Sequence, residues 1–191
     1  MFTGIIKKVG IIHSWNAKSR ILGIKSEFNS LILGESISCS GVCLTVSSFE
    51  KDIFFCNLSS ETISKTNFNT KKEGDKLNLE KSLKIGDDLG GHLVFGHVDG
   101  LSTLNDIKID KDSWILNFSV SSDLSKYLTN KCSITIDGIS LTVNNVDGAN
   151  FDISVVPFTW ENTNLKFCSI GDKFNLEIDM IARYVFKALK K

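Results

Sequence analysis

The residues best suited to chemistry lie in a glycine-rich segment at the centre of the chain. Residues 90–100 read GGHLVFGHVDG, in which His92 and His97 belong to a residue type that titrates near neutral pH. The four glycines of this segment allow close approaches to a ligand that other residues resist. Proton transfer beside a bound small molecule is the chemistry such a segment would serve. The alternative is structural, because a loop histidine often only supports its surroundings, and we expect that role for His92.

Two strand-like segments carry the next candidates. In VCLTV (residues 42–46) Cys43 and Thr45 alternate with aliphatic residues, and in ISLTV (residues 139–143) Ser140 and Thr142 do the same. Because successive side chains of a strand point to opposite faces, each polar pair shares one face. The alternatives are that Cys43 is an inert core residue and that the threonines are ordinary strand residues.

These two segments are copies within an internal repeat. Shifting the sequence by 97 residues places residues 36–80 on residues 133–177 without a gap. The identical residues include Ile37, Gly41, Leu44, Thr45, Val46, Phe54, Thr62, Thr66, Asn67, Gly74, Asp75, Lys76, Asn78, Leu79 and Glu80. The chain is therefore a duplicated module. The copies differ where chemistry could differ, since Ser40 becomes Asp137 and Cys43 becomes Ser140, so two similar pockets could treat two copies of one ligand differently.

The elements that position these residues are short strands. Alternating apolar patterns predict strands over residues 4–12, 20–24, 53–58 and 76–79, with further strands over 113–120, 150–156 and 173–178. Gly-Asp and Asp-Gly steps supply turns between them. Short strands separated by turns predict a small closed barrel in each half, because closure removes exposed strand edges.

Helical patterns are few and brief. One or two turns are predicted over residues 60–66, 124–128 and 158–163. After Asp179, which can cap a helix, Ile181, Tyr184, Val185, Ala188 and Leu189 recur at helical spacing. This amphipathic helix has no copy in the first half. Its apolar face could bind another subunit or pack on its own barrel, and the sequence leaves both possibilities open.

Charge and cysteine content exclude several function classes. The 22 basic and 22 acidic residues are interspersed, which argues against nucleic-acid binding. No apolar run approaches the ~20 residues of a membrane helix, and the start of the chain lacks a basic region before an apolar core, so we expect a cytoplasmic protein. Five cysteines without a CxxC pair predict neither disulfides nor a metal site.

Five segments at matching spacing resemble the riboflavin synthase family over essentially the whole chain. They are MFTGII (1–6), GVCLTV (41–46), GGHLVFGHVDG (90–100), IDGISLTV (136–143) and NLEID (175–179). The resemblance implies an all-β fold with short helices, made of two six-stranded antiparallel barrels in tandem and a C-terminal helix. The expected domains are a lumazine-binding barrel over 1–96, a second over 97–179 and an oligomerisation helix over 180–191.

The function implied by the resemblance is a cofactor-free transferase reaction. Two 6,7-dimethyl-8-ribityllumazine molecules exchange a four-carbon unit, giving riboflavin and 5-amino-6-ribitylaminouracil in the last step of riboflavin biosynthesis. The family forms a homotrimer through its C-terminal helices. The active site is expected between the N-terminal barrel of one subunit and the C-terminal barrel of the next, with no nucleic acid, membrane or metal involved.

Two half-sites carry over by position. The resemblance places at the N-terminal half-site Cys43, Leu44, Thr45, Asn57, Leu58, Ser59, Ser60, Glu61, Thr62, Gly96, His97 and Val98, with Lys131 reaching in from the neighbouring subunit. It places at the C-terminal half-site Gly4, Ile5, Ile6, Ser140, Leu141, Thr142, Val156, Pro157, Phe158, Thr159, Trp160 and Glu161. Asp137 and Asp179 match positions where the family keeps acidic groups near the site, although they could equally be turn and cap residues.

The catalytic candidates are His97, Cys43 and Ser36. The methyl group on C7 of the lumazine is unusually acidic, so a base that titrates near neutral pH suffices to start the reaction. We expect His97 to transfer the proton, with Cys43 and Ser36 orienting it or supplying a nucleophile. Holding two rings face to face should lower the barrier further.

A rival reading belongs to a different class of protein. It is a non-catalytic lumazine- or flavin-binding antenna protein of the same fold. The presence of His97 and of both polar strand faces favours the enzyme. The sequence leaves open which half-site binds the donor, which group attacks the ring first, and whether the trimer sits inside a lumazine synthase shell.

Overall fold

The chain folds into two closed antiparallel barrels of six strands each, as seen in a computed structural model that describes residues 1–189. The first barrel comprises β1 Lys8–Asn16, β2 Ile21–Lys25, β3 Ser36–Cys39, β4 Val42–Glu50, β5 Ile53–Asn57 and β6 Lys76–Lys81. The second comprises β7 Gly100–Asp110, β8 Ser113–Ser119, β9 Ser133–Ile136, β10 Ile139–Asp147, β11 Asn150–Val155 and β12 Lys173–Ile178. The strands follow the same order around both barrels, which confirms the tandem-barrel prediction.

Four α-helices accompany the strands within residues 1–189. They are α1 Ser60–Lys65, α2 Ser122–Ser125, α3 Pro157–Asn162 and α4 Met180–Leu189. The helix predicted over 124–128 is wrong in position, because α2 begins at Ser122 and the chain then continues as turns through Leu128. The last two residues of the predicted oligomerisation helix lie outside the described residues.

The first strand starts later than the predicted residue 4. Gly4 has φ +74°, a left-handed conformation that interrupts a strand, and the Gly4 N–H donates to the side-chain carboxylate of Glu80 rather than to a backbone carbonyl of β6. Strand β1 therefore begins at Lys8. Residues before it form a separate bridge, in which Phe2 pairs with Val94.

The period-two pattern is confirmed where it was clearest. In β4 the side chains of Val42, Leu44 and Val46 are buried, whereas Cys43 is half-buried and Thr45 is exposed. Each barrel encloses its own hydrophobic core. Burying such aliphatic side chains stabilises each barrel by roughly 1.5–3 kcal/mol per residue.

The two barrels pack through backbone contact at a pair of equivalent glycines. Gly41 and Gly138 both have φ +80°, and a Cβ on either would come within 2.7 Å of the backbone nitrogen of the other. Only glycine permits this approach. The duplicated glycine of the repeat is thus explained by the contact between the copies.

Duplicated asparagines tie the barrels together around that contact. The Asn67 N–H donates to Asn175 Oδ1 at 2.8 Å, and the equivalent Asn164 N–H donates to Asn78 Oδ1 at 2.7 Å. The side-chain amides of Asn78 and Asn175 donate in turn to backbone carbonyls of the opposite barrel. These four side chains are buried, so the barrels are held in one fixed orientation.

Helix α4 packs against the second barrel on one face and exposes apolar side chains on another. On one face Phe186 packs edge-on against Tyr127, with ring centroids 4.9 Å apart, and Ala182 contacts the second core. On the other face Ile181 and Tyr184 remain 68% and 71% exposed. The predicted cap is present, because the Ile181 N–H donates to Asp179 Oδ1 at 2.9 Å. The helix therefore packs on its own barrel and still presents an apolar surface.

Within residues 1–189 no helix is both long and apolar enough to cross a bilayer. The same residues contain no cluster of histidine, cysteine and acidic side chains suited to a metal ion.

Candidate active site

A cavity of about 450 Å³ lies beside the first barrel, where residues 90–100, the seam between the two repeats, cross β4. It brings together several residues assigned to the N-terminal half-site. Its lining comprises Val42, Cys43, Glu61, Thr62, Lys65, Thr66, Gly96, His97, Val98, Asp99 and Arg183. Lining residues from 42–43, 61–66, 96–99 and 183 thus converge on one pocket.

The pocket is shaped by a close junction between β4 and the seam. The Cys43 N–H donates to the Gly96 carbonyl at 3.0 Å. Gly96 has φ +75°, and a Cβ there would lie 2.6 Å from the Cys43 Cβ. A glycine is required because any side chain would separate His97 from Cys43.

The buried carboxylate of Glu177 holds the backbone of the seam in place. Glu177 accepts the N–H groups of Phe95, Gly96 and His97 at 2.8, 2.9 and 3.0 Å. Burial raises the pKa of Glu177, and these three hydrogen bonds act in the opposite direction. Three consecutive N–H groups on one carboxylate leave the His97 backbone little freedom.

The C-terminal half-site repeats this construction. The Ser140 N–H donates to the Gly4 carbonyl at 2.8 Å, and a Cβ on Gly4 would lie 2.6 Å from the Ser140 Cβ. Glu80, the copy of Glu177, accepts the Thr3 N–H at 2.7 Å, the Thr3 hydroxyl at 2.6 Å and the Gly4 N–H at 2.9 Å. Gly4 and Ser140 are therefore in direct contact.

His92 distinguishes the second half-site from the first. Its Nδ1 lies 2.7 Å from the Ser140 hydroxyl, and its Nε2 lies 3.0 Å from the Thr135 hydroxyl. Burial lowers the pKa of His92, although Asp179 acts in the opposite direction. The neutral ring can accept the Ser140 proton at Nδ1 while donating to Thr135 from Nε2. His92, expected only to support the seam, thus contacts a predicted substrate-binding residue directly.

The stretch assigned to residues 156–161 consists of Val156, the N-cap residue of α3, and nearly all of the helix itself. Trp160 stacks on Trp114, with ring centroids 4.6 Å apart and planes 5° apart. Val156 and Phe158 are 56% and 74% exposed, so this side of the half-site is open. In the first copy, Ser59 caps α1 by accepting the Thr62 N–H at 2.9 Å.

Four of the predicted residues form their hydrogen bonds outside these two junctions. Ser36 pairs with Thr45 across β3 and β4. Lys131 and Asp179 line a separate groove of about 510 Å³ between α4 and the segment before β9. Asp137 lies between the barrels, where its carboxylate accepts from the Asn175 N–H and from the Asn164 side-chain amide, both at 2.7 Å. These two contacts lie within the second copy, and Asp137 joins the barrels through its backbone carbonyl, which accepts from the Asn78 side-chain amide at 2.9 Å.

Sequence reasoning did not single out Glu80, Glu177, Asp99 or Arg183. The first two were visible as a duplicated identity, because Glu80 and Glu177 end the repeat. A buried acidic residue retained in both copies indicates a shared backbone contact. Asp99 and Arg183 have no such signal, since α4 is not duplicated.

Comparisons with known proteins agree with this geometry. The lumazine binding domain family matches residues 3–82 and 95–179, one match in each barrel. The riboflavin synthase of Photobacterium leiognathi is 41% identical over 195 residues, covering 100% of this chain and 89% of that protein. The riboflavin synthase of Photobacterium phosphoreum is 39% identical over 197 residues, covering 99% and 89%. The solved structure of LumP complexed with riboflavin has a TM-score of 0.86 at 24% identity, covering 94% of this chain and 100% of that one, and shows the shared fold.

Proposed function

The chain belongs to the riboflavin synthase family, and on this premise we propose how its two half-sites divide the reaction. The enzyme is a transferase that acts on two molecules of 6,7-dimethyl-8-ribityllumazine. One molecule gives a four-carbon unit to the other, and the products are riboflavin and 5-amino-6-ribitylaminouracil. Each half-site binds one lumazine.

The observation that carries this proposal is the matched pair of junctions. Cys43 meets Gly96 and Ser140 meets Gly4 with the same hydrogen bond and the same close contact. Two junctions built alike suit the binding of two identical substrates, whereas an enzyme that binds one substrate molecule needs only one. The difference between a thiol in one and a hydroxyl bound to His92 in the other allows one lumazine to donate carbons and the other to accept them.

Each half-site contains a histidine that can take part in proton transfer. In the N-terminal half-site, His97 lies beside Cys43 at the cavity. In the C-terminal half-site, His92 can take a proton from Ser140, so that the serine oxygen can act as base or nucleophile toward the ring. The backbone at both junctions is fixed by buried glutamates, which supports orientation of the two rings as a large part of the rate enhancement.

The two half-sites are proposed to meet across a subunit boundary. Lys131, on the groove beside α4, would reach the N-terminal half-site of a neighbouring copy. The exposed face of α4 supports this assembly, because Ile181, Tyr184 and Leu189 are 68%, 71% and 78% exposed. We further propose that the protein forms a homotrimer in the cytoplasm, with lumazine synthase as a candidate partner.

The competing function is a non-catalytic lumazine- or flavin-binding antenna protein, because the chain shares its fold with LumP, whose structure was solved with riboflavin bound. The test is to mix the purified protein with 6,7-dimethyl-8-ribityllumazine alone and to follow riboflavin absorbance. The enzyme is expected to produce one riboflavin for every two lumazines consumed. A spectrum that stays unchanged at micromolar protein would assign the antenna function instead.

A further inference from the structure

Arg183 extends from α4 to the cavity of the N-terminal half-site. It lines that cavity together with Cys43 and His97. Its Nη2 donates to the His97 carbonyl at 3.3 Å and also binds Asp99 Oδ2. The same Asp99 oxygen accepts the Ile178 N–H at 2.8 Å. Arg183 therefore connects the helix, the end of β12 and the histidine segment at one point.

The Asp99 carboxylate makes this connection firm. Only 15% of its side chain is exposed, and 32% of the Arg183 side chain is. Burial raises the pKa of Asp99, whereas the Ile178 N–H and Arg183 lower it. A carboxylate in such a place needs a partner to stay ionised, because an unpaired buried charge is costly. Loss of Arg183 would leave Asp99 in that condition.

The His97 peptide is held at both ends. Glu177 accepts its N–H at 3.0 Å, and Arg183 donates to its carbonyl. With both polar groups of the residue engaged, the direction in which the imidazole leaves the backbone is fixed. Positioning of this kind matters because a misplacement of about 1 Å can slow an enzyme ~100-fold.

We propose that Arg183 is a positioning residue for His97, acting through the His97 carbonyl and through Asp99. The inference rests on the proposed function, since it assigns His97 a place in the reaction. Its structural part, that Arg183 orders residues 97–99, holds in the protein without any ligand and can be measured separately.

The experiment compares Arg183→Ala, Arg183→Lys, Asp99→Asn and the double variant Arg183→Ala with Asp99→Asn in the full chain. The double variant removes the cation and the buried charge together, so its fold is expected to be closer to wild type than that of Arg183→Ala. Its kcat is still expected to fall at least tenfold, with KM within about threefold, because nothing holds the His97 carbonyl. Arg183→Lys keeps a cation and should recover part of this loss.

Hydrogen exchange of residues 97–99 in the ligand-free protein supplies the independent measurement. Exchange is expected to become at least tenfold faster in Arg183→Ala and in the double variant. Lys187→Ala, which removes an exposed charge from the same helix, is the control and should match wild type. A double variant with wild-type kcat, or unchanged exchange at residues 97–99, would overturn the proposal. The exchange result stands even if the wild-type protein forms no riboflavin, a failure that would refute only the proposed function.

Discussion

At the scale of single residues, His97 is the side chain whose removal should test the chemistry most directly. It lies at the cavity beside Cys43, and its backbone is already fixed by Glu177. His97→Ala is expected to reduce kcat about 100-fold, the usual contribution of one general acid or base, while the assembly stays intact. Stopped-flow formation of riboflavin measures the rate, and light scattering measures the mass. Full activity in this variant would place proton transfer elsewhere, with the His92 and Ser140 pair as the next candidate.

Asp137 offers a residue-scale prediction about stability. Burial raises its pKa to about 6, against an ordinary value of about 3.9. The folded protein therefore binds this proton more tightly than the unfolded chain, so the contribution of Asp137 to stability is full below about pH 4 and declines as pH rises through about 6. The decline amounts to at most about 3 kcal/mol, since a tenfold change in proton affinity is worth about 1.4 kcal/mol.

The matched variant for Asp137 is Asp137→Asn, because asparagine tolerates the positive φ of 44° found there. Urea unfolding of both proteins between pH 4 and pH 7 gives the difference in free energy of unfolding. Relative to the variant, the wild-type protein is expected to lose stability across this range. A difference that is constant with pH, or that grows in favour of the wild type, would show that Asp137 is not held in the way its burial indicates.

The residue scale also shows where sequence reasoning stopped. Cys43, Thr62 and His97 could be assigned to one half-site from the repeat and the resemblance, and the cavity contains all three. Asp137 matched an acidic position, but its surroundings come from Asn164 and Asn175, and contacts between separate elements cannot be derived from the spacing along one of them.

At the scale of elements, the glycine at the junction of the seam and β4 has a specific structural cost. Gly96 and Gly74 both have positive φ, of 75° and 91°, but a Cβ on Gly74 would meet nothing within 4 Å. Gly74→Ala is therefore expected to cost about 1–2 kcal/mol of stability from backbone strain alone. Gly96→Ala adds the clash with Cys43, about 1–3 kcal/mol more, and should also abolish riboflavin formation. Thermal unfolding and turnover of the two variants make the comparison, and equal losses in both would refute the steric role of Gly96.

Strands were predictable where one face is buried and the other is not. The alternating pattern predicted both ends of β12 correctly, and it predicted the ends of β5 and β11 to within one residue. It did not give the register shifts in β1, β4, β7 and β10, which lie at equivalent places in the two barrels. A shift of this kind depends on how neighbouring strands bend to close a barrel, and the apolar pattern of one strand carries no information about it.

At the scale of the whole molecule, the repeat explains more than the active site. The asparagines shared by both copies lie where the barrels meet, and each binds the opposite copy. Duplication thus produced an internal interface with approximate twofold symmetry, together with two junctions of the same construction. Helix α4 breaks this symmetry, because it has no copy and contacts the N-terminal half-site through Arg183. Assembly and catalysis are expected to depend on this one helix.

Removal of the whole helix after Asp179 should yield monomers with little activity, but it also removes Arg183 and the contact of Phe186 with Tyr127. Tyr184→Lys with Val185→Lys separates these effects, because both side chains are exposed, at 71% and 52%, and neither substitution removes Arg183 or Phe186. Two charges on an apolar interface should prevent assembly while each barrel remains folded.

The expected result for this double variant is a monomer on a sizing column with unchanged circular dichroism and at least 100-fold less riboflavin formed. The reason is that a single copy holds two half-sites but cannot bring two lumazines face to face. Lys187→Glu, a charge reversal elsewhere on the exposed surface of α4, is the control and should leave mass and activity unchanged. A Tyr184→Lys, Val185→Lys protein that still assembles would refute the role of this face, and an active monomer would show that both rings meet within one chain.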